Sequence, residues 1–281
     1  MTLPRLFAPE RLEAGGEVRL DAARAHYLGH VLRLRPGARL RLFNPDDGEW
    51  EAELGASGKR GATAALGARV REPAAEPGPV LHFAPIRRNR LDWMVEKAVE
   101  LGVARLVPLL TERTVVRLEN PARLRAVAVE AAEQCGRLSV PDLADPVPLG
   151  AWLAARPADG PPLLLADEAG GGEPLGAALA DAARQGEGPP ELMIGPEGGW
   201  GPRERALLLA RPRVRPVGLG PLILRAETAA LAMLAAWRTV AGVGDRGERA
   251  SAATAHDATA SIAAARSNGS TADGGSGGAN T

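Results

Sequence analysis

The 281-residue sequence predicts a β-rich N-terminal domain followed by a larger α/β domain with a parallel sheet. Segments within residues 1–72 alternate apolar and polar side chains with the period of two that marks half-buried strands. From residue 80 onward, short apolar strands alternate with helical patterns, which is typical of a parallel sheet covered on both faces. The proline-rich residues 73–79 between them read as an interdomain linker.

The N-terminal strands are predicted at residues 18–20, 39–43 and 50–54. Turn signals separate them, Pro36-Gly37 first and then Asp47-Gly48. This spacing of short strands fits a small barrel or sandwich.

In the α/β domain the pattern predicts a strand at 80–86, a helix at 91–101 ended by Gly102, and a strand at 106–110. Asn120 and Pro121 supply the cap and first residue of a second helix, and Pro202 opens another. Further short buried strands are predicted at 163–165, 192–194 and 214–217.

The end of the chain divides into two parts of different composition. The helix from residue 227 to about 240 is apolar almost all round, so it must be buried in the core or in a subunit interface. Residues 244–281 hold one large aliphatic side chain, Ile262, and we expect a disordered tail.

Charge is balanced overall but unevenly distributed. The 34 basic and 34 acidic residues cancel, which argues against a uniformly basic coat for nucleic acid. Residues 141–200, however, carry 2 basic and 10 acidic side chains, whereas residues 201–243 carry 7 basic and 2 acidic ones. The acidic block masks basic segments, so a local polyanion-binding surface is allowed.

Several classes of protein are excluded by absent features. No apolar run is long enough for a membrane span, and the N-terminal residues do not resemble a signal peptide, so a cytoplasmic location is expected. The single cysteine, Cys135, excludes a disulfide framework. His26 and His30 would share a helix face, but no third ligand lies near them, and we expect no metal.

The strongest candidate site is Gly195-Pro196-Glu197-Gly198-Gly199, a glycine-rich turn between a buried strand and a helix. Ligands of open α/β sheets bind at the carboxyl ends of strands, where glycine lets the backbone approach them. The alternative is a tight strand-to-helix connection without a ligand.

A second candidate follows the next strand, residues 218–228. A loop broken by glycine and proline leads through three large aliphatic residues to Arg225 and Glu227 at the start of the last helix. These two residues could form a salt bridge at the helix dipole, or the loop could be an apolar slot for a flat ring with Arg225 beside the reacting group. Two such loops on neighbouring strands favour binding.

The nature of the ligand follows from what the loops lack. Neither loop has the pattern of a P-loop or of a dinucleotide fingerprint, and cations are few. S-adenosylmethionine therefore fits better than a polyphosphate. The cluster Arg87-Arg88-Asn89-Arg90 is either a solvated face or a contact for RNA phosphates.

At these residues the sequence resembles the RsmE-type 16S ribosomal RNA uridine N3-methyltransferases of the SPOUT superfamily, over residues 1–243. The resemblance rests on motifs in order: Arg5-Leu6-Phe7, Leu91-Asp92-Trp93, Thr111-Glu112-Arg113-Thr114, Glu130-Ala131-Ala132-Glu133-Gln134, the glycine turn, and Ile223-Leu224-Arg225-Ala226-Glu227-Thr228. It implies a PUA-like RNA-binding β-barrel at 1–72, a SPOUT α/β domain with a deep trefoil knot at 80–243, a homodimer, and S-adenosylmethionine as cofactor.

Together, the motifs and the resemblance predict the site residues. The catalytic candidates are Arg225 and Glu227. The residues expected at the cofactor are Leu165, Gly195, Pro196, Glu197, Gly198, Gly199, Leu219, Gly220, Leu222, Ile223 and Leu224. The residues expected at RNA are Arg5, Arg33, Arg87, Arg88, Arg90, Arg113 and Arg137.

The predicted reaction is methylation of N3 of a specific uridine in 16S ribosomal RNA, on the assembled small subunit. Arg225 would hold negative charge that develops on the base, and the general base is left open between Glu227 and Glu197. The alternatives are a SPOUT enzyme that methylates a ribose 2′-OH or a tRNA base, and a non-catalytic RNA-binding protein with the same fold.

Overall fold

The N-terminal part of the chain forms one five-stranded sheet. The computed structural model describes residues 3–58, 60–118 and 120–242, and the predicted tail at 244–281 lies outside them. The strands follow the spatial order β1-β3-β4-β5-β2, with β1 parallel to β3 and the other pairs antiparallel. They are β1 (Arg5–Phe7), β2 (Glu17–Leu20), β3 (Arg39–Asn44), β4 (Gly48–Gly58) and β5 (Gly61–Arg71).

A short helix, α1 (Ala22–His26), continues into a π-helical turn, Tyr27–Val31, between β2 and β3. Leu28 from this turn packs with Leu40, Leu42 and Leu54 in a buried apolar cluster of its own. The predicted period of two therefore holds, because alternate residues of β3 and β4 enter this core.

The second sheet is parallel throughout, as predicted. The spatial order is β11-β13-β10-β12-β6-β7-β8, and β9 also pairs with β7. The strands are β6 (Val80–Phe83), β7 (Arg105–Leu110), β8 (Asp142–Leu143), β9 (Val147–Pro148), β10 (Leu163–Ala166), β11 (Glu173–Pro174), β12 (Glu191–Ile194) and β13 (Val214–Gly218).

Helices cover both faces of this sheet. Leu149 and Leu208 pack with Leu165 and Met193 on one face. The alternate strand residues, such as Leu192, are buried on the other face, where the remaining helices contact one another and the last contacts β12. The helices are α2 (Arg88–Glu100), α3 (Pro121–Cys135), α4 (Leu149–Ala155), α5 (Leu175–Arg184), α6 (Pro202–Leu209) and α7 (Ala226–Val240).

The helix boundaries follow local chemistry. The Asn120 side chain accepts a hydrogen bond from the Arg123 N–H (3.0 Å), and Pro121 begins α3 as predicted. Gly136 ends α3 in the left-handed region, with φ of +80°. One face of α7, with Ala230, Met233 and Leu234, is buried against α2, α5 and β12 as predicted, whereas Ala235 and Val240 are exposed.

The N-terminal sheet docks on the carboxyl end of α3 through a group we call the junction cluster, Arg5, Arg41, Glu49 and Arg71. The carboxylate of Glu49, 1% exposed, pairs with all three arginines. Arg5 also donates to the carbonyl oxygens of Glu133 (2.8 Å) and Arg137 (2.9 Å). Burial opposes ionisation of Glu49, but the hydrogen bonds and positive charge of the arginines outweigh it and lower its pKa.

The predicted linker is held in place by Glu76. Its carboxylate accepts hydrogen bonds from Leu138 N–H (3.2 Å), Ser139 N–H (3.0 Å) and the Ser139 hydroxyl (2.7 Å). Burial alone would raise the pKa of Glu76. These hydrogen bonds and the positive charge of Arg137 outweigh burial, so the pKa lies below its usual range. Residues 73–79 therefore make a specific contact with the segment that follows α3.

Candidate active site

Three loops follow β13, β10 and β12, which are neighbours in the sheet. Because the strands are parallel, the loops at 219–225, 167–172 and 195–201 meet at one edge of the sheet. The structure thereby brings together all the residues predicted at the cofactor: Leu165, buried in β10, with Gly195, Pro196, Glu197, Gly198, Gly199, Leu219, Gly220, Leu222, Ile223 and Leu224 in the loops.

The loop after β12, residues 195–199, is called the glycine loop here; it is held by a hydrogen bond within itself and by a contact with the loop after β10. The Gly199 N–H donates to the Pro196 carbonyl (2.9 Å), and Gly199 has φ of +69°. A Cβ atom at Gly199 would collide with the carboxylate of Glu168, which also accepts the Trp200 N–H (3.0 Å). The positive φ favours glycine at 199, and the group that approaches this residue closely is Glu168, which the sequence analysis missed.

Trp200 supports the loop from below. The sequence pattern suggests a place beside the glycine loop, and the structure buries the side chain to 4% exposure. The indole N–H donates to the Ala166 carbonyl (3.2 Å), and a Cβ at Gly195 would come within 3.0 Å of the ring. The Trp200 ring therefore packs between the glycine loop and the end of β10 and holds the two together.

Asp167 anchors the loop after β10 to helix α6. Its buried carboxylate accepts from Arg205 Nε at 2.9 Å and 3.0 Å to its two oxygens, and hydrogen bonding to Asp167 raises the pKa of Arg205. The sequence analysis did not select Asp167 or Glu168. Their position directly after a buried apolar strand is the signal that could have identified them.

The loop after β13 presents apolar side chains outward and ends at Arg225. Leu222 is 76% exposed and Ile223 is 96% exposed. The carbonyl of Arg225 accepts the Ala229 N–H (2.8 Å) and so begins α7. Among the described residues, no hydrogen bond or ion pair engages the exposed guanidinium of Arg225.

Glu227 lies in the first turn of α7 and contacts Arg90. Arg90 Nε is 3.7 Å from Glu227 Oε1, and Arg90 Nη1 donates to Glu197 Oε1 at 2.9 Å. Arg90, predicted at RNA, thus bridges two carboxylates, and it takes the place that the salt-bridge alternative gave to Arg225. Glu227 Oε2 is buried and, within the described ranges, has no hydrogen-bond partner.

A cavity of about 450 Å³ opens beside the glycine loop. Arg113, which is exposed and follows β7, lines the cavity and donates to the Gly198 carbonyl (2.7 Å). The cavity is lined by Pro85, Ile86, Arg113, Val115, Val116, Pro196, Glu197 and Gly198.

Four exposed arginines, Arg87, Arg88, Arg113 and Arg225, surround these loops, and we call them the site rim. Arg87 and Arg88 begin α2 directly after the cavity residue Ile86. Arg33 is also exposed but lies in the N-terminal part, in the left-handed region with φ of +55°.

Two arginines predicted at RNA have internal roles instead. The side chain of Arg5 is 10% exposed and its donors are used in the junction cluster. Arg137 is equally buried, donates to the carbonyls of Val99 (3.1 Å) and Val103 (2.7 Å), and has a pKa lowered by burial. The sequence could not separate them from the site rim because their partners are distant along the chain.

His26 and His30 stack with ring centroids 4.6 Å apart. In the part of the chain that the structure describes, no group of three or more His, Cys, Asp or Glu side chains is placed to hold a metal ion. None of the helices in those ranges has the length and apolar character that crossing a membrane requires.

Comparison with known proteins matches both halves of the chain. Residues 76–238 match the family model of an RNA methyltransferase domain, and residues 20–66 match that of an RNA methyltransferase PUA domain. These matches confirm the predicted fold class, a PUA-like domain followed by a SPOUT α/β domain. The trefoil knot stays a prediction from the resemblance.

Two relatives that align with most of this chain share one name, and a third is named a methyltransferase. Ribosomal RNA small subunit methyltransferase E of Rickettsia conorii is 30% identical over 236 residues, 84% of this chain and 95% of the relative. The same enzyme of Neisseria gonorrhoeae, solved bound to S-adenosyl methionine, is 31% identical with a TM-score of 0.73, over 85% of this chain and 98% of that one. A Legionella pneumophila methyltransferase, solved with the same cofactor, is 28% identical with a TM-score of 0.70, covering 85% and 98%. The chain therefore belongs to the ribosomal RNA small subunit methyltransferase E family, and it is a methyltransferase.

Proposed function

We propose that this chain transfers the methyl group of S-adenosylmethionine to N3 of a specific uridine in 16S ribosomal RNA, with the assembled small subunit as substrate. The observation that carries this proposal is the position of Arg225 and Glu227 at the start of α7, beside the glycine loop. The names of the relatives support ribosomal RNA as the substrate.

The residues at the sheet edge fit the cofactor. Leu222 and Ile223 offer apolar surface to a flat ring, and the glycine loop offers backbone donors and acceptors. The buried, unpartnered Glu227 Oε2 offers an acceptor to a cationic group. When bound, S-adenosylmethionine supplies a methyl group made electrophilic by the sulfonium, and the same cofactor occupies two of the solved relatives.

Arg225 would stabilise the acceptor base. Uracil N3 carries a proton at neutral pH, so the base develops negative charge as that proton leaves. An exposed guanidinium without an internal partner can donate to the uracil oxygens where that charge accumulates. Glu227 and Glu197, held through Arg90, are the two candidates for accepting the proton.

The remaining parts of the proposal concern assembly and organisation. Residues 1–72 would bind RNA and residues 80–243 would carry the reaction, joined by 73–79 and followed by the tail at 244–281. We further propose a knotted homodimer that acts in the cytoplasm, where ribosomal subunits are found.

The test is a map of modified nucleotides on ribosomal RNA by mass spectrometry, from cells with and without the gene. Loss of a single N3-methyluridine from 16S RNA, restored by the wild-type gene, supports the proposal. Loss of a ribose methyl group or of a tRNA modification would assign a different SPOUT reaction. An unchanged map, together with no S-adenosylmethionine binding in calorimetry, would indicate a non-catalytic RNA-binding protein.

A further inference from the structure

The cavity beside the glycine loop lies where the sheet changes the direction of its connections. Strands β6 and β12 are neighbours. The chain leaves β6 through α2 to reach β7 on one side, and leaves β12 through α6 to reach β13 on the opposite side. The crevice between the carboxyl ends of two such strands is the general ligand site of open α/β sheets. Ile86 after β6 and Pro196 after β12 both line the cavity.

We propose that this cavity receives the unstacked base of the acceptor nucleotide. This inference rests on the proposed function and locates its substrate. Enzymes that modify a base take it out of the stack into a pocket, where apolar side chains hold its faces and polar groups read its edge. Pro85, Ile86, Val115 and Val116 supply the apolar walls.

The polar part of the cavity is suited to a uracil edge. Arg113 uses a donor on the Gly198 carbonyl and has further N–H groups for a base oxygen. Glu197, held by Arg90, is an acceptor for a ring N–H. Donor and acceptor thus occur together, as the alternating carbonyl and N–H groups of uracil require.

The lining of the cavity does not include the cofactor residues predicted in β10 or in the loop after β13. Neither Leu165 nor any residue of 219–225 lines it, so Arg225 would reach the base oxygens from outside the lining of the cavity. Only Pro196, Glu197 and Gly198 belong to both sets, so this segment is the common wall between methyl donor and acceptor. Arg87 and Arg88, which follow Ile86, are placed to meet the phosphates that flank the base.

The test fills the cavity from its exposed wall. Val115 is 82% exposed, so Val115→Phe adds volume without disturbing the core, and Val240→Phe at the end of α7 is the matched control. The single-turnover methylation rate on unmodified small subunits should fall about tenfold or more in Val115→Phe. The Kd for S-adenosylmethionine should stay within about twofold in both variants.

A photocross-linking experiment provides an independent measurement. Small subunits reconstituted with ribosomal RNA transcribed with 4-thiouridine should cross-link to residues 85–86 or 113–116 of the wild-type protein, and this cross-link should weaken in Val115→Phe. Equal rates for the two variants, a Kd for the cofactor that rises with the loss of rate, or cross-links confined to other residues would overturn the proposal. If the wild-type protein methylates no RNA, the proposed function fails, and the cross-link map alone decides this inference.

Discussion

Arginine side chains gather in two regions of this molecule, and the two groups differ in the partners they contact. In the junction cluster, three guanidinium groups converge on the buried carboxylate of Glu49 and on carbonyl groups at the carboxyl end of α3. In the site rim, the four guanidinium groups are exposed, and the one described partner is the Gly198 carbonyl at Arg113.

The difference shows what decides the role of an arginine. At the junction the three arginines share a buried carboxylate, and Arg5 and Arg71 also donate to carbonyls at the carboxyl end of α3, so these contacts contribute to folding. At the rim, no acidic side chain among the described residues pairs with these arginines, and a polyanion can approach them. Changes at the rim should therefore affect activity without stability, and changes at the junction should affect stability first.

The largest expected effect is at Arg225. Arg225→Ala should lower the methylation rate by about 10²–10³-fold, because a donor to the developing charge is lost. The melting temperature and the Kd for S-adenosylmethionine should not change, since no described internal contact is removed. Arg184→Ala, an exposed residue paired with Asp181, is the control. Full activity of the Arg225 variant would refute the proposed role.

The corresponding change at the junction is Glu49→Gln. This substitution removes a carboxylate that is 1% exposed and that three arginines share, of which Arg5 is 10% exposed and Arg41 and Arg71 are 37% and 42% exposed. The free energy of unfolding, measured by urea denaturation, should fall by about 3 kcal/mol. The rate per folded molecule should be preserved, and a selective loss of rate at unchanged stability would contradict the comparison.

The comparison of wild type with Glu49→Gln also predicts a pH dependence of stability. Because the folded-state pKa of Glu49 lies below its ordinary value, its stabilising contribution is complete above about pH 4.3 and is lost as the pH falls through the folded-state pKa. The stability difference between wild type and Glu49→Gln should therefore shrink on acidification. A weaker acid dependence should remain in the variant, because Glu76 also has a lowered pKa.

The smallest effect concerns the phosphate contacts of the rim. Replacing Arg87 and Arg88 by serine should weaken RNA binding several-fold, and the slope of log K against log salt should decrease by about 1.4 for single-stranded RNA. Serine at Arg125 and Arg184, each exposed and paired with an aspartate, is the matched control. Equal slopes in the two double variants would contradict phosphate binding by Arg87 and Arg88.

Much of the fold follows from short-range pattern. The parallel sheet, the caps at Asn120 and Pro121, and the buried last helix are all confirmed, because periodicity and capping act within a few residues. The strands β1, β5, β8, β9 and β11 and the helices α1, α4 and α5 were not predicted. Two-residue strands carry no measurable period, so sequence pattern cannot reveal them.

The candidate site divides in the same way. The two loops were found because glycine and proline mark them directly, and parallel strands bring them to one edge. The partners of Arg5, Arg90 and Arg137 could not be found, since the groups they contact lie up to 132 residues away. An arginine in a motif looks the same in sequence whether it meets RNA or a buried carbonyl group.

Glu76 constrains how the two halves could be recombined. A chimera that joins a foreign RNA-binding module to this methyltransferase domain within residues 73–79 would keep the chain connection. Without Glu76, however, the Leu138 and Ser139 N–H groups would lose their acceptor, and without Arg5 the carbonyl oxygens of Glu133 and Arg137 would lose a donor. The end of α3 and the residues after it are therefore held by Arg5 of the N-terminal half and by Glu76 of the linker. A successful exchange would have to keep both contacts.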